Sequence, residues 1–265
     1  MNKVTSKDGT TIAYDQAGSG QPVILIDGAL CYRSFGPMGE LAKLLAPQFT
    51  VITYDRRGRG DSSNSKPFAV EREIEDIEAL IDQAGGSASL FGVSSGGSLA
   101  LEAALKLGRK VQKLAIYEAP YNSDAAAGQE YKQYRKQLSE TLAAGRRGDA
   151  VVLFMKLVGN PAEQIEGMRQ APVWSMFEAV APTLAYDAAA LGDDRSVPVK
   201  RASAIKVPTL LMDGGANLTM MPFMHSSAMA LAGAIPNAQQ LTLEGQRHDV
   251  SMDVLAPALI KFLKG

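Results

Sequence analysis

The run Gly92-Val93-Ser94-Ser95-Gly96-Gly97 has the residue types and the spacing for covalent catalysis. A serine with glycine two residues away on either side can sit in a tight strand-to-helix turn, because the small neighbours let strand and helix approach each other. Such a turn lifts the hydroxyl clear of the backbone and aims the following amide at charge developing on a bound carbonyl. The same pattern also fits an ordinary glycine-rich turn, so its surroundings decide. Ala88 to Val93 reads as a strand and Leu99 to Leu107 as a helix rich in Ala and Leu. A hydroxyl is a poor nucleophile until a base takes its proton, and the chain offers two histidines, His225 and His248. His225 lies in a helical stretch, where a packed or exposed histidine is the simpler reading. His248 follows the last strand and precedes the last helix, at the strand end where doubly wound sheets place their sites. Ser94 is the expected nucleophile and His248 its base.

Strands and helices must hold these two residues together, and the chain supplies them in alternation. Thr11 to Ala17, Pro22 to Asp27, Thr50 to Tyr54 and Ala88 to Val93 read as strands, followed by Lys113 to Glu118, Pro208 to Asp213 and Gln239 to Leu243. The second is almost wholly apolar, as a strand covered on both faces should be. Val70 to Ala84 is amphipathic, with Ile74, Ile77, Leu80 and Ile81 on one face, and stops at Gly85-Gly86. Leu255, Leu259, Phe262 and Leu263 form the stripe of the last helix. This pattern predicts an α/β fold with a mostly parallel, doubly wound sheet.

The alternation breaks between about Tyr121 and Arg201. Helical patterns fill that stretch at Gln129 to Ala143, Asp149 to Val158, Ala162 to Gln170 and Val173 to Tyr186, punctuated by Pro161, Pro172 and Pro182. An all-helical cap, residues 121–200, inserted into a core of residues 1–120 and 201–265 is the expected organisation. Its Trp174, Phe177 and Tyr186 are the expected substrate-contacting residues, with packing of the cap's own interior as the alternative.

Composition narrows the function. Lys and Arg number 27 against 28 Asp and Glu, a formal net charge of −1. No basic surplus exists to neutralise a phosphate backbone, so no nucleic-acid partner is expected. The cluster Arg56-Arg57-Gly58-Arg59 reads as a solvated or internally paired loop. A single cysteine, Cys31, and only two histidines leave no basis for a disulfide or a Cys- or His-rich metal site. No long apolar run suggests a membrane span, and the first residues carry no signal-peptide pattern, so a cytoplasmic protein is expected.

Four segments together resemble the α/β-hydrolase superfamily over essentially the whole chain. They are Ile26-Asp27-Gly28-Ala29, Tyr54 to Ser62 (Tyr-Asp-Arg-Arg-Gly-Arg-Gly-Asp-Ser), Gly92 to Gly97 and Gly245-Gln246-Arg247-His248. The resemblance implies a cap inserted after the sixth strand, and an oxyanion hole made by the backbone N–H groups of Ala29 and Ser95. Many members carry His where this chain has Asp27, which reads as a structural loop residue. Most also carry an Asp after the seventh strand. Here the run is Asp213-Gly214-Gly215-Ala216-Asn217, with the amide Asn217 at that place. One strand earlier, Leu114 to Pro120 contains Glu118, and some haloalkane dehalogenases and lactone hydrolases resemble this chain in taking the acid from there. Glu118 is therefore the expected triad acid, with Asp213 as the alternative and Asn217 as a vestige. An aspartate nucleophile would suit a dehalogenase; Ser94 does not. The expected activity is hydrolysis of a small-molecule carboxylic ester or lactone through an acyl-enzyme, without cofactor. Carbon–carbon bond cleavage, a cofactor-independent perhydrolase and a receptor-like ligand binder are the alternatives on the same fold.

Overall fold

The computed structural model of the protein describes residues 1–265. Eight strands form one sheet: β1 (Asn2–Thr5), β2 (Thr11–Ala17), β3 (Gln21–Ile26), β4 (Phe49–Tyr54), β5 (Ala88–Val93), β6 (Val111–Tyr117), β7 (Thr209–Gly214) and β8 (Ala238–Leu243). Their order is β1-β2-β4-β3-β5-β6-β7-β8. β2 runs antiparallel to β1 and β4, and the remaining pairs are parallel. The strand that sequence patterning does not reveal is β1. Its residues, Asn-Lys-Val-Thr, lie largely exposed at the sheet edge, so no apolar run announces them.

Helices cover the sheet: α1 (Met38–Leu45), α2 (Val70–Gln83), α3 (Ser95–Leu107), α4 (Ala125–Ala143), α5 (Arg147–Leu157), α6 (Ala162–Arg169), α7 (Trp174–Val180), α8 (Leu184–Ala190), α9 (Val199–Ala202), α10 (Asn217–Met220), α11 (Pro222–Ala234) and α12 (Met252–Lys264). The period-two alternation of strand side chains divides the interior in two. Along β3, Ile24 and Ile26 join a cluster that includes α2 and α3 residues such as Ile77, Leu80, Leu99 and Leu101. Val23 and Leu25 point the other way, toward Leu41 and Leu45 of α1 and Leu255 and Leu259 of α12. Each fully buried aliphatic side chain contributes about 1.5–3 kcal/mol, which fixes the strand register.

The break in alternation after Tyr117 is the helical insertion α4 to α8, between β6 and β7. It has an apolar cluster of its own, including Tyr131, Leu138, Val151, Ile165, Trp174 and Leu184. Helix α4 begins at Ala125, earlier than the apolar pattern suggests, because Asp124 accepts the Ala127 amide at 2.9 Å and caps it. The stretch 173–186 is two helices joined by a 3-10 turn at Ala181–Thr183, since Pro182 has no amide to continue an α-helical ladder. No helix is long and apolar enough to cross a membrane.

Candidate active site

Ser94 stands between β5 and α3 with φ 56 and ψ −130, a conformation that costs a non-glycine residue about 1–3 kcal/mol. Its neighbours impose this turn. A Cβ on Gly92 would lie 2.3 Å from the Gly96 carbonyl oxygen, and one on Gly96 would lie 2.3 Å from that of Ile26. The Ser94 amide donates to the Tyr117 carbonyl at 3.0 Å, so β6 also holds the turn. The hydroxyl-bearing residue is thereby raised into a cavity of about 630 Å³, whose wall also includes Ala29, Ser95 and His248.

Glu118, one residue past β6, is buried and has φ 47. Its Oε2 lies 2.7 Å from His248 Nδ1. Oε1 accepts from the Gly214 amide at 2.9 Å, and Asn217 Nδ2 donates to both oxygens at 2.8 and 2.9 Å. A carboxylate can only accept, so Nδ1 carries the imidazole proton and Nε2 is left with its lone pair. The loop bearing His248 is pinned as well: Tyr117 Oη donates to the Arg247 carbonyl, and the Ala216 amide donates to the Gln246 carbonyl at 2.9 Å.

Asn217 is thus no vestige. At the place where the resemblance puts an acid, it supplies a donor that holds the Glu118 carboxylate. Asp213, the alternative acid, points away from this site. Its carboxylate meets His225 Nδ1 at 3.0 Å and is bonded by Gln240 and Thr242 of β8. The structure therefore forms two separate histidine–carboxylate pairs, and only His248–Glu118 faces the cavity with Ser94.

Ala29 and Ser95 border the same cavity. Ser95 opens α3, where a first-turn N–H has no intrahelical partner, and the Ala29 amide donates to no backbone carbonyl. The loop carrying Ala29 is fixed from behind by the arginine cluster. Arg59 donates to the carbonyls of Gly28 and Cys31, and Arg56 to that of Asp27. Both arginines also bind Asp187 of α8, at 2.5 and 2.7 Å, and Ser95 Oγ donates to Asp187 at 2.8 Å. Burial alone would raise the Asp187 pKa; Arg59 and Arg56 bring it below the usual value. Arg56, Arg57 and Arg59 are all buried and paired, so of the two readings of this loop the internally paired one holds and the solvated one does not. Sequence reading misses Asp187 because a lone acid in an alanine-rich helix carries no mark of burial.

Two further cavity residues have displaced ionisation. Burial pushes Asp27 up to about 7 against the attraction of Arg59 and Arg56, and its Oδ1 has no partner. Burial pushes the Cys31 thiol up to about 12, which leaves it protonated and unreactive.

Trp174, Phe177 and Tyr186 lie outside the cavity. Trp174 is buried in the insertion's apolar cluster with its ring edge-on to Phe177 at 6.3 Å, and Phe177 in turn meets Phe35 at 5.7 Å. Spaced three apart, they share one face of α7 and turn it toward packing. On α8, Leu184, Asp187 and Ala188 face the cavity. Tyr186 projects from another side, stacked on Phe68 at 3.7 Å with its hydroxyl accepting from Asn64. The wall is formed instead by side chains such as Tyr131, Tyr134, Phe154, Leu157 and Phe223, together with Arg195.

Among known proteins, the chain is 29% identical over 153 residues to an uncharacterized hydrolase, YraK, of Bacillus subtilis. That match spans 56% of this chain and 55% of YraK, about half the length of each. A crystal structure of an alpha/beta hydrolase from Sphaerobacter thermophilus is 47% identical, covers 99% of this chain and 100% of its own, and superposes with a TM-score of 0.87. A thermophilic esterase from Thermogutta terrifontis has a TM-score of 0.72 at 24% identity, with 99% of this chain and 97% of its own covered, a likeness of fold. The sequence model described as the alpha/beta hydrolase family matches residues 17–258, and the chain belongs to that family.

Proposed function

We propose that the protein is a serine hydrolase that cleaves a carboxylic ester or lactone of a small molecule. The observation that carries the reading is the 2.7 Å contact between Glu118 and His248 on the wall of the cavity that Ser94 enters. His248 Nε2 takes the Ser94 proton as Oγ attacks the carbonyl carbon. Glu118 holds the Nδ1 proton and offsets the imidazolium charge. The Ala29 and Ser95 amides receive the negative oxygen of the tetrahedral intermediate. The intermediate collapses as His248 returns its proton to the alcohol oxygen, leaving an acyl group on Ser94. Water, deprotonated by the same histidine, then releases the acid and restores Ser94. A volume of about 630 Å³ suits a ligand of drug-like size.

The test is labelling with a fluorophosphonate together with a hydrolysis panel of aryl esters and lactones of several ring sizes. One label per chain, lost in Ser94→Ala along with turnover, is the expected result. Labelling or turnover that survives in Ser94→Ala overturns the reading. A labelled protein that turns over no ester or lactone overturns it too, in favour of a binder or of another reaction on this fold.

A further inference from the structure

Arg195 lines the cavity with a guanidinium that donates no hydrogen bond to the protein. Its Nε is buried and donates to nothing, and no hydrogen bond contributes to its ionisation. The buried arginines of the 56–59 cluster each meet at least one carboxylate, and Arg201 at the surface meets Glu102. Arg195 instead lies on the cavity wall between two rings, 5.5 Å from the centre of Tyr131 on α4 and 5.7 Å from that of Phe223 on α11. Its backbone sits at φ 49, in the left-handed region, and the Asn122 amide bonds its carbonyl at 2.7 Å. The chain thus bears conformational strain where this side chain is directed. Aromatic faces stabilise a guanidinium and restrict its orientation, yet they accept none of its five N–H groups. Burial lowers its pKa, and an arginine still keeps its proton at neutral pH.

The other charges on the wall do not answer it. Asp187 is taken by Arg56 and Arg59, Asp249 is exposed, and Asp27 lies within the oxyanion loop without a partner. Glu130 on α4 acts on Arg195 only through space. The cavity therefore offers one preoriented fork of donors with a single positive charge inside a largely apolar wall. That is the complement of one carboxylate, which takes two parallel N–H bonds from a guanidinium.

We propose that Arg195 is the anion-binding residue of this cavity, and that the substrate is an ester or lactone bearing a carboxylate beyond the scissile group. The substrate class rests on the hydrolase reading; the anion site itself does not. Charge-assisted bonds of this kind contribute enough for about a 10- to 100-fold preference.

Aryl monoesters of the straight-chain dicarboxylic acids from succinic to suberic are compared with neutral aryl esters of equal chain length. A second series carries the carboxylate on the alcohol side. One member of either series should exceed its neutral match about 10- to 100-fold in kcat/KM, chiefly through KM. In Arg195→Gln that ratio should fall to about one, and Arg195→Lys should keep part of it. Calorimetry on Ser94→Ala with the free dicarboxylates gives a readout without turnover, and binding should vanish in Ser94→Ala/Arg195→Gln. Neutral esters cleaved as well as charged ones, or a preference that survives Arg195→Gln, overturns the proposal and leaves the hydrolase reading standing. Equal loss on both kinds of ester marks a purely structural clamp and overturns it likewise. Dicarboxylate binding that needs Arg195 in a protein without hydrolysis sinks the hydrolase reading and keeps the anion site. Should Arg195→Gln not fold, the wild-type preference and the Arg195→Lys ratio decide.

Discussion

In the proposed mechanism Glu118 and Asn217 divide between them the part that the family resemblance gives to one aspartate after the seventh strand. The carboxylate comes from β6 and its orientation from an amide beyond β7, which donates to both oxygens. Glu118→Gln should lower kcat by about 10²- to 10⁴-fold with KM little changed, since an amide cannot offset imidazolium; the corresponding change in a serine protease costs about 10⁴. Asn217→Ala should cost about 3- to 30-fold in kcat and about 1.5–3 kcal/mol, the worth of a hydrogen bond to a charged group. Asp213→Asn should leave kcat within a few-fold, because that carboxylate serves His225. Steady-state kinetics on the three variants tests the assignment, and a crippled Asp213→Asn beside a mild Glu118→Gln would reverse it. Asp27 makes a different prediction. The folded protein keeps this proton up to about pH 7, whereas the unfolded chain releases it near pH 4. Between those values the folded state holds more protons, so the Asp27 contribution to stability falls as pH rises and is constant above the window. Asn in its place removes the penalty, which is at most on the order of 4 kcal/mol. Denaturant unfolding at pH 5 and pH 8 should show Asp27→Asn gaining on the wild type as pH rises; parallel behaviour would mean that Asp27 ionises as an ordinary surface carboxyl does.

Helix α8 is the element that couples insertion to core. Through Asp187 it binds two arginines of the loop after β4 and the hydroxyl of Ser95, the residue expected to supply an oxyanion amide. Arg56 has a second carboxylate in Glu73, whereas Arg59 is left with carbonyls and Thr183. Removing one partner from a buried ionic network costs about 3–5 kcal/mol, because the remaining charges stay desolvated. Asp187→Ala should therefore destabilise by that amount and lower kcat on every ester alike, as the oxyanion loop and the start of α3 lose a shared anchor. An unchanged melting temperature would refute the coupling. The same geometry explains why α8 turns Tyr186 away from the cavity: the face with Leu184, Asp187 and Ala188 is committed to it.

At the scale of the whole molecule, the cavity lies between the strand ends of the sheet and the insertion, and two kinds of aromatic residue surround it. Trp174 is packed within the insertion, so Trp174→Ala should cost about 3–5 kcal/mol and lower the melting temperature. Phe154 lines the cavity, so Phe154→Ala should redistribute KM among acyl groups with a smaller stability loss. A melt and an ester panel separate the two, and the reverse pattern would return Trp174 to the substrate site.

Much of this arrangement is written locally in the sequence. Gly92 and Gly96 announce the turn around Ser94, because their close contacts tolerate no side chain. The apolar periods of β3, α2 and α12 give the layers, because burial selects one face of each element. His248 is singled out by its place after the last strand, and Glu118 by resemblance, since its partner is 130 residues away. What the sequence does not carry is orientation in three dimensions. Whether Trp174 packs or lines, whether Arg56 is solvated or buried, and which carboxylate each histidine meets depend on how elements distant in the chain are set against one another. Asp187, Asn217 and Arg195 gain their roles only there: a polar residue in a helix or loop reads the same whether water or a buried charge lies opposite. The tertiary structure decides these points because desolvation and pairing are properties of neighbours in space, and the residues next in sequence do not fix them.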